Sequence, residues 1–374
     1  MSSWSCLPAH LSPARLLSAL SESLLSSAPQ STAAGAMQLS SSTAVDLLIL
    51  GAGWTASFLV PYLEQHHPDV MFASTTRDGR NNSIRWQFDP ELDGPEQFSG
   101  LPRAETVVVV FPIKGEGGSR RLVQGYEEAV GARARWIQLG STGIFDGGPT
   151  LAALRVQADA AGSESEKPAP QPRALEWTTR HSAYDKTNPR AIAEDELLGM
   201  HAETVVLNLS GLWGGTRDPI NWFARVAPTK EALEQKGSLH LIHGLDVARA
   251  IVAVHLAERL PRSGGSAYET AGEPEAEKEK EGRRGQRWVL TDLHLVDWWD
   301  LASAHPSPSP SSSNLDKPPP TPDRAQWVRE LLRKHNVRAL PRSAQELGRA
   351  IDAREFWDAF GLAPVKARWE QGRA

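Results

Sequence analysis

Short apolar runs alternate with amphipathic, helix-like stretches along most of this chain. The runs VDLLIL (45–50), VMFAST (70–75), IRWQFD (84–89), TVVVVF (106–111), RWIQLGS (135–141), TVVLNLSG (204–211) and RWVLTD (287–292) read as strands. Several are continuous β-branched stretches with no polar alternation, the pattern of strands covered on both faces. Between them lie helical stretches such as TASFLVPYLEQHH (55–67), NPRAIAEDELLGMH (188–201) and VARAIVAVHLAERL (247–260). Strands alternating with helices imply βαβ units and hence a parallel sheet. The pattern predicts an α/β fold: a doubly wound parallel sheet with a smaller C-terminal lobe for substrate, built from segments after about residue 212.

The periodic pattern is interrupted in four places. Residues 1–44 are rich in Ser and Ala and hold one arginine, Arg15, and one acid, Glu22. They read as a disordered leader, with a transit peptide as the alternative, although transit peptides carry more arginines. Met37, close to the first strand, is a second possible start. Residues 157–174 and 272–286 mix charge with Pro, Ser or Gly, and 303–323 is a Pro/Ser-rich linker. None of these stretches can bury enough apolar surface to offset the entropy of ordering. The expected layout is a leader (1–44), a main domain (45–302), the linker and a helical extension (324–374).

Composition narrows the function classes. The 374 residues carry a formal net charge of −5, so no basic face for nucleic acid is expected. No apolar stretch approaches the roughly 18 residues that span a bilayer. Cys6 is the only cysteine, which excludes a disulfide framework or a cysteine-based metal site and fits a reducing compartment. No metal is expected. The expectation is a cytoplasmic protein (mitochondrial if the leader is a transit peptide), monomeric or homodimeric, acting on a small molecule.

The chemistry starts at LILGAGWTASFLVPYL (48–63). Gly51-Ala-Gly53-Trp54-Thr55-Ala56 follows an apolar strand and opens a helix, the context that the dinucleotide fingerprint of the Rossmann fold requires. Gly51 would allow the tight turn, Gly53 the close approach of a pyrophosphate, and Ala56 close helix–strand packing. The end of the second strand selects between the nicotinamide cofactors. Here Thr76 is followed by Arg77, which favours NADP, while Asp78 keeps NAD as the alternative. Asp89 either contacts adenine or caps a turn. Phe111 and Pro112, after the fourth strand, complete the expected cofactor contacts. Lys114 lies on the same edge and reads as an exposed charge.

With these residues in place, the chain resembles the short-chain dehydrogenase/reductase superfamily in its extended, atypical branch, similar to the NAD-dependent sugar-nucleotide epimerases and dehydratases. Four stretches carry the resemblance: LILGAGWTASFLVPYL; WIQLGSTGIFDGG (136–148), like the family's fifth-strand motif; VVLNLSGLWGGTRDPI (205–220); and LIHGLDVARAIVAVHL (241–256). They cover about residues 45–302. The resemblance implies a Ser/Thr that orients a substrate carbonyl, a Tyr that carries the proton and, four residues on, a Lys that lowers the Tyr pKa. Ser141 and Thr142 fill the hydroxyl position. The Tyr and Lys slots fall near Thr187 and Ala191, so the pair is missing. Tyr184 and Lys186 lie upstream but two residues apart, on opposite sides of any helix. Tyr184 is the candidate proton carrier, and Arg190 a substitute for the lysine charge or a solvated charge.

The resemblance also places Trp213 and Arg217 on the substrate side. His243 and Asp246 read as structural, with Asp246 capping the helix after it. Trp298, Trp299, Trp327, Phe356 and Trp357 read as packing against the substrate lobe. Two functions follow as expectations: a redox or epimerase-type enzyme with a nonstandard proton carrier, or a catalytically silent NAD(P) sensor.

Overall fold

The computed structural model describes residues 44–146, 177–257, 285–305 and 323–366. The leader and nearly all of the three polar interruptions therefore lie outside the described residues, as does Met37. Seven strands form one sheet: β1 (Val45–Leu50), β2 (Phe72–Thr76), β3 (Ile84–Arg85), β4 (Ala104–Val109), β5 (Arg135–Ser141), β6 (Val205–Leu209) and β7 (Gln286–Leu290). Their order is β7-β6-β5-β4-β1-β2-β3, and every pairing is parallel. Read from β3, the first six positions follow the Rossmann order 3-2-1-4-5-6. The fold is the doubly wound α/β sheet that the alternating pattern predicts.

Both faces of the sheet are covered, which is why its strands carry no polar alternation. Ile137 clusters with Leu47, Ile49 and Val108 and with Leu59, Leu63, Val247 and Ile251, from helices α1 (Gly53–His66) and α4 (Gly244–Leu256). Its neighbour Trp136 points to the opposite face. There it meets Tyr126 edge-on, with ring centres 5.6 Å apart, on α2 (Gly118–Val130), which packs beside α3 (Pro189–Leu198).

Two strands are shorter than the apolar pattern suggests. Pairing of β3 stops at Arg85, where the Trp86 indole turns in to donate to Gln97 O (2.7 Å) and Asp89 enters a turn ahead of Pro90. The run 204–211 ends as a sheet strand at Leu209, and Gly211–Trp213 instead pairs in parallel with Leu241–His243. A Cβ on Gly211 would lie 2.8 Å from the Trp222 ring, so the crossing needs glycine. Helix α4 begins three residues before the expected start.

The C-terminal segments divide between two cores. Helices α5 (Trp298–Ala304) and α6 (Arg324–Lys334) pack together, burying Trp298, Trp299, Val328 and Leu331 against Phe223 and Leu233, with Trp327 at the edge. These side chains form a second cluster, apart from the core of the main sheet. Phe356 and Trp357, on α7 (Arg354–Ala359), instead join the core of the main sheet. Residues 350–351 pair in parallel with 177–178. Among the described residues no helix is long and apolar enough to cross a membrane, and no group of His, Cys, Asp and Glu is placed to hold a metal ion.

Candidate functional site

β1 has β2 on one side and β4 on the other, so the strand order reverses at the carboxyl end of β1, where doubly wound sheets open a crevice. The two glycines lie at that point. Gly51 N donates to Thr75 Oγ1 (2.9 Å), and Ala52 N to Thr75 O (2.8 Å). Gly51 has φ +82°, and a Cβ there would sit 2.9 Å from the Phe111 ring, so glycine is needed for both conformation and space. Gly53 begins α1, and a Cβ on it would meet nothing within 4 Å, so its outer side is open. No side chain caps α1, leaving its first amides to other partners. Backbone and space thus fit a pyrophosphate.

The other cofactor candidates fall into two groups. Trp54 faces out of the turn: its Nε1 donates to Gly214 O (2.9 Å), and the Arg217 guanidinium lies 4.4 Å from its ring centre. Thr55 is buried and turned inward, so it packs the helix rather than touching a ligand, while Ala56 is half-buried. Phe111 stacks on Phe88 (6.0 Å) beneath Gly51, and Pro112 and Lys114 are exposed.

At the end of β2, Thr76 Oγ1 pairs with Ser83 Oγ (2.6 Å) and accepts from Gly79 N (2.9 Å), shaping the turn that carries Arg77 and Asp78. Asp78 is engaged locally: the Thr76 hydroxyl holds its carboxyl below the usual range, and Arg80 lies 3.7 Å away. Arg77 is exposed, and no ion pair ties it down among the described residues. Asp89 takes the turn role, its Oδ1 accepting from Glu91 N (2.9 Å).

The hydroxyl position lies at the carboxyl end of β5. Ser141 Oγ accepts from Gly143 N (3.1 Å) and so caps the short 3₁₀ turn Thr142–Phe145. Thr142 is buried, and its hydroxyl makes no hydrogen bond among the described residues. Its carbonyl accepts from Arg349 Nη2 (3.1 Å), and Arg349 also pairs with Asp146.

Tyr184 is not brought to this hydroxyl. Its own hydroxyl donates to Asp195 Oδ1 (2.7 Å), and its ring meets the Arg287 guanidinium at 4.7 Å. Arg287 joins Asp195 (2.9 Å), Glu194 and Asn208 Oδ1 (3.0 Å). Asp195 lies toward the C-terminal end of α3 and Arg287 near the start of β7, so the phenol reaches away from the carboxyl edge. Burial, and next the bond to Asp195, push its pKa up, opposite to what a phenolate carrier needs. This geometry corrects the catalytic expectation for Tyr184. Arg190 Nη2 donates to Leu139 O (3.3 Å), and burial pushes its pKa down, so it is no solvated charge.

Two further expectations change. Trp213 is buried edge-on to His243 (4.5 Å), a packing position rather than an open substrate wall. Asp246 does not cap α4. The cap is His243, whose Nδ1 accepts from Leu245 N (3.1 Å). Asp246, fully buried, accepts from Val365 N (2.9 Å) and Lys366 N (3.0 Å) and pairs with Arg249, fastening the C-terminal segment to α4.

Sequence reasoning passed over Arg349, Arg287 and Asp292. Burial pushes the Asp292 carboxyl up to about 7, and its Oδ2 has no hydrogen-bond partner among the described residues. The two arginines take their roles only by pairing across 79 to 207 positions, so nothing near them in sequence marks it.

No protein-family profile matches this sequence, and no curated protein matches it. Several solved structures are similar at low identity. The Methylobacillus flagellatus protein named as an NAD-dependent epimerase/dehydratase shares 14% identity, with 87% of this chain and 94% of that chain covered and a TM-score of 0.46. For UDP-glucose 4-epimerase from Thermus thermophilus, in complex with NAD, the values are 13%, 86%, 94% and 0.44. For vestitone reductase from alfalfa they are 15%, 85%, 99% and 0.38.

Proposed function

We propose that this chain binds a nicotinamide dinucleotide at the Gly51–Gly53 turn, with preference for NADP(H). The observation that carries this reading is the placement of that turn: a left-handed Gly51 and an open Gly53 at the point where the strand order reverses. The adenosine end would lie along β2, where Arg77 is exposed and makes no ion pair among the described residues while Asp78 is engaged with Thr76 and Arg80. A guanidinium can hold a 2′-phosphate through two parallel hydrogen bonds. When bound, the dinucleotide would supply hydride chemistry. The chain's own residues would hold its phosphates and keep the hydroxyl of Thr142 at the carboxyl edge.

Of the two readings, the engaged phenol of Tyr184 favours a nucleotide-responsive sensor over a dehydrogenase of the ordinary Tyr-based mechanism. The enzyme reading draws support from Thr142, whose hydroxyl makes no hydrogen bond among the described residues and could orient a carbonyl. It needs a proton carrier other than Tyr184. The deciding experiment titrates the full chain with NADPH and NADH, then follows the absorbance of bound NADPH in the presence of a panel of small carbonyl compounds. Tight NADPH binding with no oxidation supports the sensor. Carbonyl-dependent oxidation supports the enzyme. Failure to bind either nucleotide overturns the proposal.

A further inference from the structure

The loop Trp213–Arg217 lies directly on the first two turns of α1. A Cβ on Gly214 (φ +103°) would collide with the His243 ring, and one on Gly215 (φ +57°) would press on Phe58 at 3.3 Å. Gly214 and Arg217 close the loop on each other through two backbone hydrogen bonds (2.9 and 3.1 Å). That closure delivers Gly214 O to the Trp54 indole (2.9 Å) and lays the Arg217 guanidinium over the same ring at 4.4 Å.

Packing does not account for the charge of Arg217. No carboxylate pairs with it among the described residues, and the adjacent Asp218 turns its Oδ1 to Ile220 N (2.9 Å). Partial burial pushes its pKa down, and no neighbouring charge opposes that push. Arg217 is exposed, so water can solvate its charge, and a cation–π contact at such a site contributes about 0.5–1 kcal/mol. The loop closure and the indole thus hold an accessible guanidinium beside Trp54 with no carboxylate partner among the described residues.

We infer that Arg217, steered by the Trp54 ring, is a ligand of the dinucleotide's pyrophosphate at the open side of Gly53, rather than a substrate-facing group. This inference rests on the dinucleotide reading above. The planar fork of a guanidinium suits two phosphate oxygens, and its contact with the indole of Trp54 places it one residue from the open Gly53. The pyrophosphate is common to NADPH and NADH, so Arg217 raises affinity for both, whereas Arg77 separates them.

The test measures dissociation constants of NADPH and NADH, with inorganic pyrophosphate as competitor, for wild type, Arg217→Gln, Arg217→Lys and Arg77→Ala. Arg217→Gln should weaken both nucleotides by about tenfold or more, the loss of one charge-assisted hydrogen bond. It should also weaken pyrophosphate competition and reduce the salt dependence of binding. Arg217→Lys should fall between, because it keeps the charge and loses the fork. Wild-type binding with both nucleotide affinities unchanged in Arg217→Gln overturns this inference alone. No wild-type binding overturns the dinucleotide reading and the inference together.

Discussion

Replacing Tyr184 by Phe separates a structural phenol from a catalytic one. The substitution removes one hydrogen bond, from the phenol to Asp195 at 2.7 Å. The ring contacts with Phe145 (5.8 Å) and Arg287 (4.7 Å) do not need the hydroxyl. A hydrogen bond to a charged group contributes about 1.5–3 kcal/mol. Asp195 keeps Arg287 as a partner and its side chain is 33% exposed, so water can replace part of what is lost. The expected cost is therefore near the lower end, about 1–1.5 kcal/mol. Urea unfolding followed by tryptophan fluorescence should show a lower midpoint at unchanged slope, the signature of lost stability without a change in surface exposed. NADPH affinity should stay within about twofold, since the phenol lies off the carboxyl edge. The reasoning is refuted if stability is unchanged while an NADPH-linked turnover falls by about 10² or more, the loss expected when acid–base assistance is removed.

Other perturbations probe the remaining steps. Arg77→Ala should cost about 1.5–3 kcal/mol in NADPH binding and leave NADH binding unchanged in calorimetric titration. Equal losses would show that Arg77 does not read the 2′-phosphate. Gly51→Ala should lower stability by at least the roughly 1–2 kcal/mol that a left-handed backbone costs an L residue, with a further loss from the approach to Phe111. A melting temperature equal to wild type would contradict the turn geometry. Asp292, with its folded pKa raised to about 7, stabilises the protein below its unfolded pKa, and that contribution is lost as pH rises toward 7. His240, pushed down to about 4 by burial, acts in the opposite sense, its contribution being lost as pH falls from its unfolded pKa toward 4. In Asp292→Asn the first contribution disappears. The stability of this variant relative to wild type should therefore improve as pH rises from about 4 to 7, read from urea midpoints, and a pH-independent difference would count against it.

The sheet was legible because each strand buried on both faces leaves an unbroken apolar run, and because the glycine turn is a local signal that needs no partner. TVVVVF and VDLLIL pair in parallel, Leu47 beside Thr106 and Ile49 beside Val108. Strand ends were less visible, since they depend on where Trp86 and Gly211 find partners outside their own segments. The candidate site was legible only where its function is local. Gly51, Gly53 and Arg77 stand out through backbone conformation and exposure at their own positions. Tyr184 was misplaced because its partners Asp195 and Arg287 are 11 and 103 residues away and reach it only in the folded layer between α3 and the sheet. Asp246 looked like a cap from its position. Its true partners are backbone amides nearly 120 residues later, which no helical pattern encodes.

The contact of Arg349 with the Thr142 carbonyl spans 207 residues of sequence, and nearby contacts cross similar gaps, including Arg180 with Glu355 across 175. Synthesis runs from the N-terminus, so the turn that carries Thr142 leaves the ribosome well before the arginine that holds it. At about 5–20 residues per second, that interval is roughly 10–40 seconds. During it the nascent sheet can already have formed β1 to β5 and the glycine turn, while the edge beside Thr142 still lacks Arg349. The Gly51–Gly53 turn and the edge next to it are thus finished at different times. On the proposed reading, a dinucleotide binding early would meet the glycine turn before the edge beside Thr142 is complete.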